Sequence, residues 1–485
     1  MWEIHENLRG MKILDKSKFE FNTLVPSITI NPKENSYGIK LIKSIILKIP
    51  NLLNPIKNID NEHCIYLLEP HYTKILKEND LNVLSLEKNL KSKIEFYKLS
   101  INYNNWKCAD IFKAILPLEN NSISSFSQIG HIIHLNLREC HQDYGSIIGQ
   151  VLLDKIKTCQ TVLNKKDIIT HEYRNFEYEL LAGKPDTIVK VRENDFTFQF
   201  DLASVFWNPR LSTERARIIT KVTSNNNILV DLFSGVGPFA IPALKQPKNL
   251  SCRLVFANDL NPNCNLLANA KLNKVNISKL LVTHLPADKF VLTVFKQLYW
   301  AISTNQTFLC HTDHSNSFEL NANSNLIAAT NNETDFYNQS QPINFKDEPM
   351  LGDLHLVMNL PEKALEMIRY FKGLFRDNKD CESQIFSKNL CRIIVHLYCF
   401  IKDTGDALLT ARNEILSVFE EAEDNLVDID QMNSSKLTDP QVKRLRKYCS
   451  LKEEDILEIV LIRKVSPSKH MIRLTFIMPR QYMGL

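Results

Sequence analysis

The chain has 485 residues, a formal net charge of +4 and 44% hydrophobic residues, enough for two or three domains of roughly 100–200 residues each. So small a net charge excludes a global basic field, and any nucleic-acid binding has to come from local basic patches. Eleven cysteines without a C-x-x-C pair argue against a disulfide scaffold and a structural zinc site, and for a reducing compartment.

No apolar run reaches the roughly 18 residues of a membrane span. The start, Met1-Trp2-Glu3-Ile4-His5-Glu6, has neither the basic and apolar regions of a signal peptide nor the Arg-rich, acid-poor composition of a transit peptide. Cytoplasm or nucleus is the expected location, with the mitochondrial matrix left open.

Residues 1–118 are lysine-rich and mixed in pattern, with short apolar stretches such as Ser44-Ile45-Ile46-Leu47, and form a first α+β domain without recognisable chemistry. The polar run from Glu119 to Ser127 reads as a connection. A second α+β domain, 119–204, holds the apolar segment Ile129 to Arg138, a helix over Ile147 to Lys155, and strands at Thr187–Val191 and Phe196–Asp201 turned at Glu193-Asn194. His131 and His134 lack a carboxylate or cysteine to complete a metal site and are read as structural. Arg138, Lys155, Lys165 and Lys166 are candidate phosphate contacts.

A third domain, 205–485, opens with a helix near Ser212 that carries Glu214 in its first turn. Val230-Asp231-Leu232-Phe233-Ser234-Gly235-Val236-Gly237-Pro238 then runs from an apolar strand through a glycine turn toward a helix, and the next strand, Leu254 to Ala257, ends in Asn258-Asp259-Leu260. This order of strand, turn, helix and acidic strand end predicts a nucleoside-binding crevice: glycines admit the ligand, and Asp259 accepts ribose hydroxyls. The third glycine of a dinucleotide motif is absent, and Pro238 removes an N–H that would face a pyrophosphate. Asp231 instead places negative charge where a cationic nucleoside such as S-adenosylmethionine would sit.

The Asn-rich stretch 303–347 is a low-complexity insertion outside the active site. Leu354–Met358 reads as a buried strand ending in Asn359-Leu360-Pro361, followed by a helix from Lys363 to Phe375. Another strand covers Ile393–Phe400, and Ile456–Ile462 with Ile472–Met478 read as a closing antiparallel pair. Asn359 stands at a strand's carboxyl end, where open α/β sheets bind ligands, and its amide can meet a planar base.

Several separated blocks then carry a resemblance: Gly130-His131 with His134 to Arg138; Tyr173-Arg174 through Leu181-Ala182-Gly183; Val205-Phe206-Trp207-Asn208-Pro209-Arg210-Leu211-Ser212-Thr213-Glu214; the glycine turn; Asn258 to Pro262; and Met358-Asn359-Leu360-Pro361. In this order they resemble the eukaryotic and archaeal tRNA guanine-N1 methyltransferases, which modify guanosine 37 beside the anticodon. The resemblance implies an α/β, class I Rossmann-like, S-adenosylmethionine-dependent methyltransferase with N-terminal α+β tRNA-binding domains. It implies tRNA with guanosine 37 as partner, no metal and no membrane, and a monomer.

The same resemblance implies roles for particular residues. Guanine N1 carries a proton that must leave as it is methylated, and Glu214 matches the general base. Arg174 matches the cation that stabilises charge developing on O6, and Asn359 a residue holding the base or the methionine moiety. Arg215, Asp231, Gly235, Gly237, Asp259, Leu260, Pro286, Ala287 and Asn359 are the cofactor-binding candidates; Phe206, Arg210 and Pro361 are the substrate-binding ones. The chain departs from the family in having Phe206 for a tyrosine, Arg215 for a histidine, and His284-Leu285-Pro286-Ala287-Asp288 where Asn-x-Asp-Gly is common. Pro286 there replaces an acid that Asp288 could supply. A related aminocarboxypropyl transferase of wybutosine synthesis and an inactive tRNA-binding homologue are the alternatives.

Overall fold

The computed structural model describes residues 8–31, 35–52, 57–60, 63–69, 88, 92–123, 126–169, 176–224, 226–246, 250–303, 307–308, 343–344, 352–375, 392–403, 405–430 and 451–484. The chain divides into two compact units, Met1–Ile168 with Phe176–Thr187, and Ile169–Asn175 with Ile188–Leu485.

In the first unit, β1 (Phe21–Ile30) pairs antiparallel with both β3 (His63–Leu67) and β4 (Ile94–Ile101), and β2 (Lys57–Asp60) adds to β3. A second sheet runs β5-β6-β7-β8, over Phe126–Ile129, Ile132–Leu135, Thr161–Ile169 and Phe176–Gly183. The boundary expected at 118/119 falls inside a single core, where Trp106, Ile111 and Ile115 pack in one cluster with Ile133, Ile147 and Val151. The polar run after Glu119 is a surface connection pinned to that core, not a linker: the buried His141 Nε2 lies 2.7 Å from the Asn120 carbonyl oxygen. Lys155 is also committed here, donating to the Tyr103 carbonyl with its ammonium 4.0 Å above the Tyr103 ring, whereas Arg138 remains exposed.

In the second unit, β9 (Ile188–Glu193) and β10 (Phe196–Asp201) form a hairpin turned at Asn194, which has φ +53°. The expected boundary at 204/205 would separate this hairpin from the elements that hold it. Asn269 and Asn273, four apart and therefore on one face of the helix Leu266–Leu272 and its cap, present their amides to the open edge of β10. Thr197 N donates to Asn273 Oδ1 (2.9 Å), Asn273 Nδ2 to Thr197 O (2.7 Å), and Gln199 N to Asn269 Oδ1 (2.7 Å). The two side chains thus stand in for a neighbouring strand.

The main sheet has the order β13-β12-β11-β16-β17-β19-β18. Its parallel strands are β11 (Ile228–Asp231), β12 (Leu254–Asn258), β13 (Leu280–Thr283), β16 (Leu354–Met358) and β17 (Ile393–Lys402). β18 (Ile456–Ser466) and β19 (Lys469–Ile477) close it antiparallel. The chain steps outward from β11 to β12 and β13 on one side and to β16 and β17 on the other, so the topological switch point lies between β11 and β16. The short pair β14 (Thr307–Phe308) and β15 (Ile343–Asn344) comes from the Asn-rich stretch, the rest of which lies outside the described residues. The helix expected over Lys363 to Phe375 is shorter, an α turn Ala364–Met367 continued as a tighter 3-10 turn to Phe371, with Gly373 at φ +62° ending the run.

Candidate active site

The glycine turn sits at the carboxyl end of β11. Gly235 has φ +51°, and a Cβ placed on it would meet nothing within 4 Å, so its front is open for a ligand. Gly237 has φ +91°, and its missing Cβ faces Ile241 and Leu266 at 3.0–3.1 Å. The ligand-admitting role read for both glycines therefore belongs to Gly235, while Gly237 lets the turn pack on its own helix.

Asp259, at the end of β12, accepts from Gly235 N (2.7 Å) and Asn261 N (2.9 Å). A carboxylate has about four lone-pair positions, so it can still accept ribose hydroxyls. Asn258 holds the third loop against the first two, because its amide donates to Leu232 O and Leu285 O and its oxygen accepts from Leu285 N and Thr283 Oγ1. Pro286 and Ala287 open the helix Ala287–Phe290, with Phe290 N donating back to Pro286 O. The Pro286 loop thus keeps its place in the pocket through Asn258, without the family's acid. Leu260 follows Asp259 and is half-buried.

Asp231 is fully buried, and among the described residues neither carboxylate oxygen has a hydrogen-bond partner of normal geometry, although the Phe233 N–H favours the charged form; the buried Ser234 Oγ is also without a partner among the described residues. Burial, reinforced by the Asp259 charge, pushes the Asp231 carboxyl up to about 8. An unpaired buried carboxyl costs stability until a donor or cation reaches it. A ligand bearing an ammonium and a sulfonium fits that demand, so the donor set matches S-adenosylmethionine.

Glu214 lies in the first turn of the helix Ser212–Val222, its side chain 5% exposed. Its Oε1 accepts from Arg473 Nε (2.6 Å) and from the Tyr398 hydroxyl (3.2 Å), and its Oε2 from Arg217 Nη1 (2.9 Å). Arg473 is fully buried and also donates to Glu458 Oε2 (2.9 Å) and to Thr475 Oγ1. Burial, with the Glu214 charge beside it, holds the Tyr398 hydroxyl well above its ordinary value, so it stays a donor. Tyr398 and Arg473 are direct cross-strand partners of β17 and β19, and the Tyr398 ring lies 6.3 Å from that of Phe239, just after the glycine turn. Neither Tyr398 nor Arg473 was among the residues expected from sequence. Their signal is the recurrence of polar residues every second position in buried strands, His396 and Tyr398 opposite Thr475 and Arg473.

A buried imidazole chain continues this network. Asn227 Nδ2 lies 3.1 Å from His355 Nε2, His355 Nδ1 3.0 Å from His396 Nε2, and His396 Nδ1 3.2 Å from Thr475 Oγ1. Because the Asn227 amide nitrogen donates, both rings carry their proton on Nδ1 and are neutral. Burial holds His355 down to about 4 and His396 well below its ordinary value.

Arg215, expected at the cofactor, is engaged with protein groups. Its buried guanidinium donates to Glu193 Oε2 (2.6 Å) and Asn208 O (3.2 Å) and stacks 4.3 Å over Trp207, an ion pair that ties the helix to the β9–β10 hairpin. Phe206 is 58% exposed and Arg210 is exposed on the same loop. Asn359 and Pro361 follow β16 directly and are half-buried, next to the end of β11. Arg174 lies outside the described residues. A separate cavity of about 190 Å³, lined in part by Arg392, Ile393, Lys452 and Arg480, lies at the amino end of β17. It is at the opposite end of the strands from these groups and has no part in the site.

Residues 108–187 match the TYW2 N-terminal domain, and residues 187–289 match the TRM5/TYW2 methyltransferase domain. The chain is 34% identical over 475 residues to the tRNA (guanine(37)-N(1))-methyltransferase of Anopheles gambiae, across 97% of this chain and 69% of that protein. It is 32% identical over 481 residues to that of Homo sapiens, across 98% and 77%. Among solved structures it is similar in fold to Trm5b from Pyrococcus abyssi, with a TM-score of 0.52 at 19% identity, covering 93% of this chain and 99% of that one. It is similarly related to aTrm5 solved in complex with tRNALeu, with a TM-score of 0.51, 19% identity and the same coverage.

Proposed function

Because the chain belongs to the tRNA (guanine(37)-N(1))-methyltransferase family, and is a methyltransferase that moves a methyl group from S-adenosylmethionine to N1 of guanosine 37 in tRNA, we propose that Glu214 is the base that removes the N1 proton. The observation that carries this reading is the buried carboxylate of Glu214, held at one oxygen by Arg473 and Tyr398 in the same unit as the open glycine turn. S-adenosylmethionine, when bound, supplies an electrophilic sulfonium methyl whose C–S bond breaks, the pair returning to sulfur, as guanine N1 bonds to the carbon.

The residues of this chain do the rest. Asp231 meets the positive charge of the donor, Asp259 the ribose, Gly235 leaves room for it, and the Pro286-Ala287 loop closes on the adenine side. Leu260, Gly237 and Asn258 shape this wall from behind. Asn359 and Pro361 border the crevice from β16 and orient the guanine, with Phe206 and Arg210 on the exposed loop beside the helix of Glu214. Arg174 stabilises the charge that develops on O6. Adenine at the same place would present a bare N1 lone pair to the Glu214 carboxylate, and the repulsion favours guanine. The protein works as a monomer in a reducing compartment, cytosol, nucleus or mitochondrial matrix.

The test uses S-adenosylmethionine labelled either in the methyl or in the carboxyl group, with tRNA carrying guanosine or adenosine at position 37. The expected result is methyl label in the guanosine tRNA alone. Carboxyl label in the tRNA would reveal aminocarboxypropyl transfer, and equal methyl incorporation into both tRNAs would refute the assigned base.

A further inference from the structure

We infer that Arg473 and Tyr398 are positioning residues that hold Glu214 by Oε1, and that Oε2 is the oxygen that takes the proton from guanine N1. The inference rests on the reading of Glu214 as the base and adds the atom and its support.

A carboxylate oxygen offers two lone-pair directions. Both on Oε1 are filled, by Arg473 Nε at 2.6 Å and by the Tyr398 hydroxyl at 3.2 Å. The donors to Oε1 come from fully buried side chains on adjacent strands, paired directly across β17 and β19. Among the described residues only Arg217 Nη1 reaches Oε2, and its side chain is 46% exposed at the helix surface. One lone pair of Oε2 is therefore vacant, and its single partner sits where solvent or a substrate can displace it. Proton transfer to Oε2 breaks N1–H and leaves that electron pair on guanine for the new N1–C bond.

Arg473 is itself held rigidly. Glu458 Oε2 accepts from its Nη1 and is shared with Lys221, and Thr475 Oγ1 accepts from the same nitrogen and receives the imidazole chain from His396. The charged and titratable groups around the base are thus Arg473, Tyr398 and Arg217 in contact, with Glu458, Lys221, Arg215 and His396 behind them. A guanidinium locked at both ends cannot follow Glu214 if the carboxylate rotates, so Oε1 acts as a pivot and Oε2 has a defined direction. Nη2 of Arg473 is buried without a partner among the described residues, so the guanidinium is held there through Nε and Nη1.

The experiment measures single-turnover methylation by the full chain, with saturating S-adenosylmethionine and tRNA bearing guanosine 37, across pH. The variants are Tyr398→Phe and Arg473→Lys, each made alone and on Glu214→Gln. Tyr398→Phe deletes one oxygen from a packed ring and keeps the fold, so it decides the matter even where Arg473→Lys loses stability. Each single variant is expected to lower the rate about tenfold, with affinities for tRNA and S-adenosylmethionine within about twofold. On Glu214→Gln neither should cost anything further. Wild-type rates in both single variants, or the same loss on Glu214→Gln as alone, overturn the positioning role. A wild-type rate in Glu214→Gln alone instead removes the base assignment on which it rests.

Discussion

His355 Nδ1 lies 3.0 Å from His396 Nε2, with the two imidazoles stacked at 5.3 Å between centroids inside the sheet. Their direction of donation is fixed from Asn227 at one end to Thr475 at the other, so a second proton on His355 would face the Asn227 amide N–H. The His355 value is depressed to about 4 in the folded chain against 6.5 unfolded. The unfolded chain takes up this proton first, so the associated stability is complete above about pH 6.5 and is lost as pH falls toward 4. The difference corresponds to on the order of 3 kcal/mol. Urea unfolding of the wild type and His355→Gln between pH 4 and 8 checks this in their difference: the wild type should lose stability relative to the variant as pH falls toward 4.

Asp231 gives the opposite sign. Its folded carboxyl is raised to about 8 from 3.8, so in the ligand-free protein stability falls as pH rises from near 4 through 8. Asp231→Asn should match the wild type near pH 4 and melt higher near pH 9. The same substitution should weaken S-adenosylmethionine binding at pH 7 by about tenfold or more, since a charge-assisted contact is lost. Calorimetric titration and melting curves check the two halves; a variant that binds as the wild type does would separate Asp231 from the cofactor.

Replacing Glu214 by Gln keeps the shape and removes the base. Turnover should fall by about 100-fold or more, the scale of general-base catalysis, with S-adenosylmethionine affinity nearly unchanged. Single-turnover rates beside equilibrium binding measure the split.

The two glycines of the turn should separate in the same kind of pair. Gly235→Ala meets open space and costs about 1 kcal/mol for its left-handed backbone, yet it intrudes where the ligand lies, so affinity suffers more than stability. Gly237→Ala collides with Ile241 and Leu266, so its melting temperature drops further. Melting and binding measured on both variants test the division; equal stability losses would contradict it.

Asn273→Ala should free the β9–β10 hairpin from its helix. It removes the partners of Thr197 N and O, each part-buried, at a cost of about 2–3 kcal/mol. Chemical denaturation gives the value, and a loss below 0.5 kcal/mol, the scale of an ordinary surface change, would show that the asparagine pair is not what holds the hairpin.

The elements of the crevice were legible in sequence because each is local: a strand, its turn and the next acidic strand end lie within about thirty residues, and the periodicity of β11, β12 and β16 survives without knowledge of the sheet. Asp231, Gly235 and Asp259 followed from that pattern, and the geometry brings them together through Gly235 N and Asp259. Arg473 and Tyr398 were not legible in the same way, being 259 and 184 residues from Glu214. Their meeting depends on the register of β17 with β19, which a single strand does not encode. The ion pair of Arg215 was not legible either, because its buried partner, Glu193, belongs to a hairpin assigned to another domain. The boundary at 118/119 was drawn on polarity, which marks surface, and both a connection between domains and a loop pinned to one core are surface.

The pairing of Glu214 with Arg473 also sets an order of events during synthesis. β11, β12 and β13 leave the ribosome long before β19, so a nascent chain can form a nucleoside crevice while its base still lacks an anchor. Methyl transfer at its full rate requires β19 to have paired with β17. A chain cut between β17 and residue 473 would therefore keep the residues of the crevice and lose the anchor of its base.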